Sequence, residues 1–260
     1  MSVDVNKLDI SIGSQPIVHG VNLHIGDGER VGLIGSSGSG KSMISKAMLG
    51  LLPTNAKTEG SMMLGGTQVI GADESVLASL RGRYVGAVFQ NPASSLNPVL
   101  TVGKQIELPL KLHYDLDKAD RQTRVAAMLG KVGLDETTAM KYPSELSGGQ
   151  QQRVGIATAL ITSPRLIIAD EPTTALDSIT QRQIVDLLVS LVDKAGASML
   201  FITHDFSVLG RATTRCYVLD NGRIIESGKT SDLLNNPQNG QTKKLVEAAR
   251  ELTLAGADSH

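Results

Sequence analysis

A glycine-rich turn between an apolar strand pattern and a helix pattern is the strongest constraint on how this chain folds. The turn fits the phosphate-loop pattern GxxxxGK[ST]; Val31-Gly32-Leu33-Ile34 precedes it as a predicted strand, and Lys41 to Leu52 follows as a predicted helix. Its glycines let the backbone curl N–H groups around an anion, and the helix N-terminus adds the positive end of its dipole. A flexible Gly/Ser linker is the alternative interpretation, but a linker does not need this strand–turn–helix setting.

All eight residues of the turn are candidate ligands of a nucleoside triphosphate. They are Gly35, Ser36, Ser37, Gly38, Ser39, Gly40, Lys41 and Ser42. In this pattern the lysine ammonium reaches the β- and γ-phosphates, and the hydroxyl after it is a ligand of Mg²⁺. The turn therefore predicts that Lys41 binds the phosphates and that Ser42 binds Mg²⁺.

Two acids directly follow a second apolar run. Leu166-Ile167-Ile168-Ala169 suits a central parallel strand, buried on both faces, and Asp170 and Glu171 come next. Asp170 is expected to hold Mg²⁺ through water, and Glu171 to polarise the water that attacks the γ-phosphate. Two adjacent acids are usually part of a solvated loop. The strand before them and Pro172 behind them favour the catalytic interpretation.

A third segment, Leu146-Ser147-Gly148-Gly149-Gln150, precedes a predicted helix from Gln151 to Thr162. Ser147 is a good N-cap, and the two glycines leave backbone amides open to an anion. Read alone, the segment is equally an ordinary helix-start turn. As a second anion site it cannot reach the γ-phosphate of its own subunit if the two sites lie on opposite lobes. We therefore expect a head-to-tail dimer, with nucleotide between the phosphate loop of one subunit and this segment of the other.

Together these motifs resemble those of ATP-binding-cassette (ABC) ATPases, and the resemblance covers essentially the whole chain. It implies ATP and Mg²⁺ as ligands and ATP hydrolysis as the activity. It also implies an α/β fold, with a phosphate-loop NTPase (RecA-like) core, an antiparallel β subdomain and an inserted α-helical subdomain. Leu146 to Gln150 matches the signature sequence of the family, which acts on the partner's ATP.

The resemblance also assigns roles to three further residues. Gln90, which ends a Val-Phe-Gln run, matches the Q-loop and is implied to contact Mg²⁺ and the attacking water. Asp177 matches the D-loop and is implied to contact the other subunit, and His204 matches the switch region and is implied to contact the γ-phosphate. One feature departs from the family pattern. The stretch Asp9 to Gly13 has no aromatic residue to stack on adenine, and Ile12 is the nearest apolar candidate.

The periodicity of the chain predicts one ABC ATPase domain over residues 1–260, in which a helical lobe interrupts an α/β core. From about residue 101 to residue 162 apolar residues recur at helix spacing, and strand–helix alternation resumes after Pro164. The predicted parts are a catalytic core lobe of residues 1–90 and 164–240, a helical lobe of residues 91–163, and a C-terminal helix and tail of residues 241–260.

Two further local patterns predict antiparallel strands. Val3 to Ile12 and Gly20 to Ile25 alternate between apolar and polar residues, so we expect them to pair near the N-terminus. Asn221-Gly222 is a strong two-residue hairpin signal, because both central residues of such a turn need positive φ.

Charge, cysteine content and hydropathy narrow the choice of partners. The chain has 25 basic and 26 acidic residues, so we expect no nucleic-acid partner. Cys216 is the only cysteine, which fits a reducing compartment. No apolar run approaches the ~20 residues that span a membrane, so a role there would be peripheral. The resemblance to importer ATPases, described next, implies a peripheral position on the cytoplasmic face of the cell membrane.

Three stretches are similar to importer ATPases of the peptide and nickel branch: residues 89–98, 142–146 and 169–177. This resemblance implies a subunit that powers uptake of peptides or nickel-type substrates by nucleotide-driven dimer closure. It also implies several partners. They are two membrane permease subunits, a second ABC ATPase that is a paralogue rather than an identical chain, and, indirectly, an external substrate-binding protein.

Two other classes of protein compete with this interpretation. A non-transport ABC ATPase of DNA repair or translation would share the motifs, but repair members carry long coiled coils and translation members usually carry two cassettes. A GTPase-like switch is suggested by Asn6-Lys7-Leu8-Asp9, which fits the guanine-reading pattern NKxD. That pattern ordinarily lies downstream of the phosphate loop, whereas here it lies upstream, so a solvated strand is the better interpretation.

Overall fold

The computed structural model describes residues 2–174 and 176–257, which form two compact units. The first unit combines the chain up to Leu77 with the chain from Ser198 onward, and the second is Ala78–Ala197. Packing therefore groups residues 78–90 and 164–197 with the helical region. The predicted lobe boundaries at residues 91, 164 and 241 follow motifs rather than packing, and they stay predictions.

Strands and helices alternate along the described chain. The strands are β1 (Val3–Ile12), β2 (Gln15–Ile25), β3 (Arg30–Ile34), β4 (Ala56–Leu64), β5 (Thr67–Gln68), β6 (Val85–Val88), β7 (Leu166–Asp170), β8 (Ser198–Thr203), β9 (Arg215–Asp220) and β10 (Arg223–Lys229). The α-helices are α1 (Lys41–Leu49), α2 (Glu74–Leu80), α3 (Pro92–Ser95), α4 (Val102–His113), α5 (Lys118–Lys131), α6 (Gly148–Leu160), α7 (Ser178–Ala195), α8 (Phe206–Ala212), α9 (Thr230–Asn235) and α10 (Gly240–Ala257). Two 3₁₀ turns, Glu136–Met140 and Pro143–Glu145, lie between α5 and α6.

One sheet of the first unit is antiparallel, with strand order β2-β1-β4-β5. A bulge interrupts β1 at Lys7, whose φ is +47°, and the pairing with both neighbouring strands shifts there. The Asn6–Asp9 stretch thus lies inside a paired strand, and Asp9 accepts a hydrogen bond from the Gly20 N–H at 3.0 Å. The Asp9 carboxylate, which the guanine-reading pattern needs, is thus engaged within the sheet, and this argues against the GTPase interpretation.

The other sheet region of the first unit has β3 at its centre. Strand β3 pairs in parallel with β8 on one side and β9 on the other, and β10 pairs antiparallel with β9. Gly32 allows close packing here, because a Cβ would lie 2.6 Å from a δ-methyl of Leu209 and 2.9 Å from Cβ of Cys216. Burial raises the pKa of the Cys216 thiol to about 12, so the only cysteine is an unreactive core residue.

The second unit combines a parallel strand pair with the predicted helical insertion. Strands β6 and β7 pair in register, and α6 packs on β6 so closely that a Cβ on Gly86 would lie 2.3 Å from the Ala159 carbonyl oxygen. Helices α4, α5 and α6 pack against one another and bury Ile106, Leu129 and other apolar side chains. The alternation of α and β elements, the antiparallel sheet and the helical insertion agree with the predicted fold class.

Three predicted elements have different boundaries in the structure, and local capping explains the two that are helices. Helix α1 ends at Leu49 and not at Leu52, because Gly50 takes φ +64° and closes the helix. Helix α6 begins at Gly148, ahead of the predicted Gln151, because Ser147 caps it. Strand β2 begins at Gln15, five residues before the predicted Gly20. Within the part of the chain that the structure describes, every helix is too short or too polar to cross a bilayer.

Candidate functional site

The phosphate loop connects β3 to α1 and has the backbone that its glycines allow. Gly38 and Gly40 have φ of +80° and +106°, values that favour glycine. Gly35 is needed for space, because a Cβ there would lie 2.0 Å from the Leu219 carbonyl oxygen. The loop is therefore held between β9 and the start of α1, with the N-terminus of α1 at its end.

Lys41 and Ser39 give this loop the chemistry of an anion site. The Lys41 side chain is buried, and its ammonium donates to the carbonyl oxygens of Gly35 and Ser36, both at 2.8 Å. The Ser39 hydroxyl is also buried and has no hydrogen-bond partner. A buried hydroxyl without a partner gains from a bound anion, and a lysine ammonium at the same loop binds phosphate oxygens well, so the loop fits phosphate.

A second turn, Asn221-Gly222, braces the phosphate loop. The two residues have φ of +45° and +74° and join β9 to β10, which confirms the predicted hairpin. The Gly222 N–H donates to the Ser39 carbonyl oxygen at 3.0 Å, and the Gly222 carbonyl oxygen accepts from the His19 N–H at 2.8 Å. The Asn-Gly pattern predicts the turn, but this contact with the loop depends on packing and was not foreseen.

His204 lies at the same sheet edge as the phosphate loop. Ile34 pairs with Thr203 across β3 and β8, so the next residues along the two parallel strands, Gly35 and His204, leave the sheet side by side. The turn after His204 is fixed by the Asp205 N–H, which donates to the Thr203 hydroxyl at 2.9 Å. The first unit therefore places the start of the phosphate loop and His204 at neighbouring strand ends, and the role predicted for His204 stays a prediction.

The second unit brings the predicted Gln90 and the two acids together in the same way. Val88 pairs with Ala169, so the chain leaves β6 towards Gln90 and reaches Asp170 and Glu171 at one edge. Glu171 has φ +48°, a left-handed backbone in a non-glycine residue, and its carboxylate accepts from the Thr174 hydroxyl at 3.0 Å. Thr174 is a further residue of the site that the sequence analysis did not single out.

The signature segment forms the N-terminus of α6. The Ser147 hydroxyl accepts from the Gln150 N–H at 3.3 Å, and the Gln150 side chain accepts from the Ser147 N–H at 3.0 Å, a reciprocal cap. Leu146 is buried and anchors the segment, while Ser147 and Gly148 are exposed. The amides that the prediction assigns to an anion are thus presented to solvent on a fixed helix end.

Asp177 and the signature segment line one cavity of about 380 Å³. Its walls are residues 147–150, Arg153, Leu176, Asp177, Thr180 and Gln183. Asp177 caps α7 by accepting from the N–H groups of Thr180 and Ile179, and the Thr180 hydrogen bond is the main reason that the pKa of its carboxyl is lowered. Ala175, inside the predicted D-loop, lies outside the described residues. The sequence analysis missed Arg153, which only the three-dimensional arrangement places in this cavity.

The oxygen groups assigned to Mg²⁺ suit that ion. Ser42, Gln90 and Asp170 offer a hydroxyl, an amide and a carboxylate oxygen, the hard ligands that Mg²⁺ takes together with phosphate and water. Among the described residues no group of three or more His, Cys, Asp and Glu forms a metal cluster. Oxygen groups of this kind suit an ion that arrives with the phosphates of a nucleotide.

Apolar residues lie beside the loop where adenine is expected. Ile12, at the end of β1, pairs with Gln15 at the start of β2. Further along β2, the Ile17 carbonyl oxygen and a γ-methyl of Val18 each lie 3.2 Å from where a Cβ on Gly40 would be. Ile17 and Val18 therefore border the loop directly, a contact that the sequence analysis did not assign.

Comparison with known proteins gives a consistent picture. The family model described as ABC transporter matches residues 18–174. A putative peptide import ATP-binding protein of Brucella ovis is 40% identical over 244 residues, which are 90% of this chain and 72% of that protein. The oligopeptide transport ATP-binding protein OppD of Bacillus subtilis is 36% identical over 264 residues, 98% of this chain and 74% of OppD.

A solved structure supports the same assignment of fold. It is the dimeric, post-hydrolysis state of an ATP-binding cassette bound to ADP and Pi, 34% identical to this chain, with a TM-score of 0.77. The alignment covers 88% of this chain and 98% of that one. The predicted fold class, a phosphate-loop NTPase core with β and helical subdomains, is therefore confirmed.

Proposed function

Because the chain belongs to the ABC transporter family, we propose that it is the ATP-hydrolysing subunit of an importer for peptides. The relatives from Brucella ovis and Bacillus subtilis are named for peptide import and oligopeptide transport. These names favour peptides over nickel-type substrates, and they argue against a repair or translation factor. The observation that carries the proposal is the buried Lys41 ammonium in a complete phosphate loop.

ATP binding is assigned to residues 35–42. The Lys41 ammonium exchanges carbonyl oxygens for β- and γ-phosphate oxygens, and each such charge-assisted hydrogen bond contributes about 1.5–3 kcal/mol. Loop N–H groups and the N-terminus of α1 complete the cradle. His204 leaves β8 next to Gly35, where its imidazole is suited to contact the γ-phosphate.

Hydrolysis is assigned to the edge that carries Gln90, Asp170 and Glu171. Glu171 orients the attacking water, and Thr174 holds the carboxylate in one direction through its hydroxyl. Mg²⁺, when bound, neutralises phosphate charge, and Ser42, Gln90 and Asp170 are the residues that would hold it. Gln90 is exposed, so it is free to approach the metal and the water as its loop moves.

A second cassette completes the site. The cavity beside Ser147 and Asp177 presents helix amides and is suited to a γ-phosphate that another subunit carries. The solved cassette with a TM-score of 0.77 is itself dimeric. We assign a paralogous cassette as the partner, with Asp177 at the contact, so that nucleotide binding closes the dimer and hydrolysis releases it.

Membrane permeases are the proposed partners of an exposed apolar area on the second unit. Val99 and Met140 have 75% and 78% of their surface exposed, and Phe89 and Tyr142 are also exposed. The Val102 N–H donates to the Lys141 carbonyl oxygen at 2.9 Å, which brings the start of α4 beside the Met140 turn. Phe89 directly precedes Gln90, so a permease that contacts Phe89 would be displaced when the Gln90 loop moves. A subunit docked on permeases in this way would lie on the cytoplasmic face of the membrane, which is the location we propose.

The catalytic assignment predicts the behaviour of Glu171→Gln. The variant should bind ATP within about twofold of wild type while kcat falls at least about 10³-fold, because the amide keeps the contact but loses the charge that orients water. Glu136→Gln is the matched control, since Glu136 is exposed on a 3₁₀ turn. Fast turnover by Glu171→Gln would remove Glu171 from this role.

The transport assignment needs a separate experiment. The full chain, tagged and gently extracted from the membranes of its own cells, should bring with it two multi-span proteins and a second cassette ATPase. Recovery only with ribosomes, DNA or no partner would contradict the importer assignment and leave the ATPase chemistry standing.

A further inference from the structure

Gln152 is a buried side chain whose amide donor is unused. It is 1% exposed, and its Nε2 has no hydrogen-bond partner. Its neighbours on α6 are both bonded: Gln151 donates to the Pro143 carbonyl oxygen at 2.9 Å, and Arg153 donates to that of Val132 at 2.7 Å. An unpaired buried donor costs free energy, so a partner that arrives in another state of the protein would explain it.

The packing of α6 indicates which elements lie on the side of the helix that carries Gln152. Ala159 lies two turns further along on the same side of the helix, and its carbonyl oxygen lies against Gly86 near the start of β6. Helix α3, which follows Gln90 by two residues, also packs on α6. Helix α6 therefore runs antiparallel to β6: its C-terminal end lies at the start of the strand, and its N-terminal end lies towards the segment that follows the strand.

The distances along the two elements place Gln152 level with the Gln90 segment. From Ala159 back to Gln152 the helix advances about 10 Å, at ~1.5 Å per residue. Strand β6 ends at Val88, and from Gly86 to Gln90 the chain advances at most about 13 Å, at ~3.3 Å per residue. The two displacements differ by about one strand residue, so Gln152 and residues 89–91 lie at about the same level along the two elements.

We propose that Gln152 is a positioning residue that donates a hydrogen bond to a backbone carbonyl of residues 89–91 when ATP is bound. The inference rests on the proposed function, in which Gln90 moves to the metal and the attacking water. Helix α6 begins at the signature segment, so this bond would tie the Gln90 loop to the helix that presents Ser147 to the partner's nucleotide. ATP bound at this chain's own phosphate loop would thereby fix the position of α6, whose N-terminus faces the nucleotide of the partner subunit.

The first test is the melting temperature of Gln152→Met without nucleotide. Methionine keeps the length of the side chain and removes the unused donor, so the variant should melt no lower than wild type. Gln105→Met is the matched control, because buried Gln105 uses both ends of its amide: it accepts from the Asn97 N–H at 2.8 Å and donates to the Leu100 carbonyl oxygen at 3.0 Å. That variant should melt lower. A comparable loss in Gln152→Met would show that its amide is already paired, which overturns the proposal.

The deciding measurement is hydrogen exchange of the full chain with and without Mg-ATP, in a Glu171→Gln background that prevents turnover. ATP should slow exchange over residues 35–42 and 89–97, and Gln152→Met should abolish only the effect on residues 89–97. Unchanged protection of residues 89–97, or a loss confined to residues 169–174, would overturn the role of Gln152. If ATP failed to slow exchange over residues 35–42 in the Glu171→Gln protein, the result would instead contradict the proposed function.

Kinetics give a second readout that a structural role would not move. In a chain that keeps the native Glu171, Gln152→Met should lower kcat about tenfold and leave KM for ATP unchanged. Tenfold is the effect expected from the loss of one neutral hydrogen bond that forms only in the activated state. Wild-type kcat, or a rise in KM without a fall in kcat, would contradict the proposal.

Discussion

Gly222→Ala tests whether the β9–β10 turn holds the phosphate loop. Gly222 has φ +74°, and an added Cβ would lie 2.3 Å from the Ile17 carbonyl oxygen. The turn has to move away from β2, which breaks the bonds from Gly222 N–H to Ser39 and from His19 N–H to Gly222. Two backbone hydrogen bonds are together worth about 2 kcal/mol.

Gly71→Ala is the matched control for the cost of placing alanine at positive φ. Gly71 has φ +76°, nearly that of Gly222, but an added Cβ would meet nothing within 4 Å. Both alanines bear the cost of the left-handed backbone, about 1 kcal/mol, and both restrict the unfolded chain equally. We therefore expect Gly71→Ala to lower the free energy of unfolding by about 1 kcal/mol and Gly222→Ala by about 3 kcal/mol.

Urea unfolding measures the stabilities, and calorimetric titration with ATP in the Glu171→Gln background measures the affinity. In Gly222→Ala the phosphate loop has lost its hydrogen bond at Ser39, so ATP binding must order that backbone. The entropic cost of this ordering is about 1–2 kcal/mol of binding free energy. The dissociation constant should rise about tenfold, and Gly71→Ala should leave it unchanged. Equal destabilisation by the two alanines, with ATP affinity intact in both, would refute the bracing role of the turn.

Three further changes test other parts of the structure. Lys41→Ala should weaken ATP binding at least about 100-fold, because two charge-assisted bonds are lost, and unchanged binding in titration would contradict the loop assignment. Ser147→Arg should leave ATP binding by the free chain intact and abolish hydrolysis, and retained activity would argue against a site completed in trans. Arg215→Met should lower the free energy of unfolding at pH 7 by about 1–2 kcal/mol, less than for a fully buried pair because Arg215 and Glu29 keep about a quarter of their side chains in water. Arg215 holds the pKa of the Glu29 carboxyl below its ordinary 4.5, so this stabilisation is present above that pH and is lost as pH falls through the lowered value. The difference in unfolding free energy between variant and wild type should therefore narrow in acid, and the bonds from Arg215 to the Tyr217 hydroxyl and the His24 carbonyl oxygen account for what remains.

Local patterns predicted much of the fold because they depend on few residues. The strand before the phosphate loop, the glycines inside it and the Asn221-Gly222 turn each follow from backbone conformations that neighbouring residues fix. The same holds for Ser147, whose cap needs only the next three residues. Helix α1 is the instructive error: apolar residues continue to Leu52, but Gly50 ends the helix earlier.

Contacts between elements distant in sequence could not be predicted. Nothing in the sequence near residue 39 shows that Gly222 donates to Ser39, because that contact depends on how β9 and β10 pack. The unused amide of Gln152 is similarly invisible in a run of three glutamines, of which only one is fully buried. The roles of Gln90, Asp177 and His204 came from the family resemblance. The structure adds their neighbours: β6–β7 pairing beside Gln90, and β3–β8 pairing beside His204.

The backbone of Glu171 bears on how this residue acts. A left-handed conformation at φ +48° costs a glutamate about 1 kcal/mol or more, and such strain persists only where the surroundings impose it. Here the chain leaves a buried strand at Asp170 and turns at once, while Thr174 fixes the carboxylate from the other side of the turn. A carboxylate whose orientation is already fixed needs little further movement when the attacking water binds. In its proposed catalytic role, Glu171 therefore has the geometry to orient the attacking water.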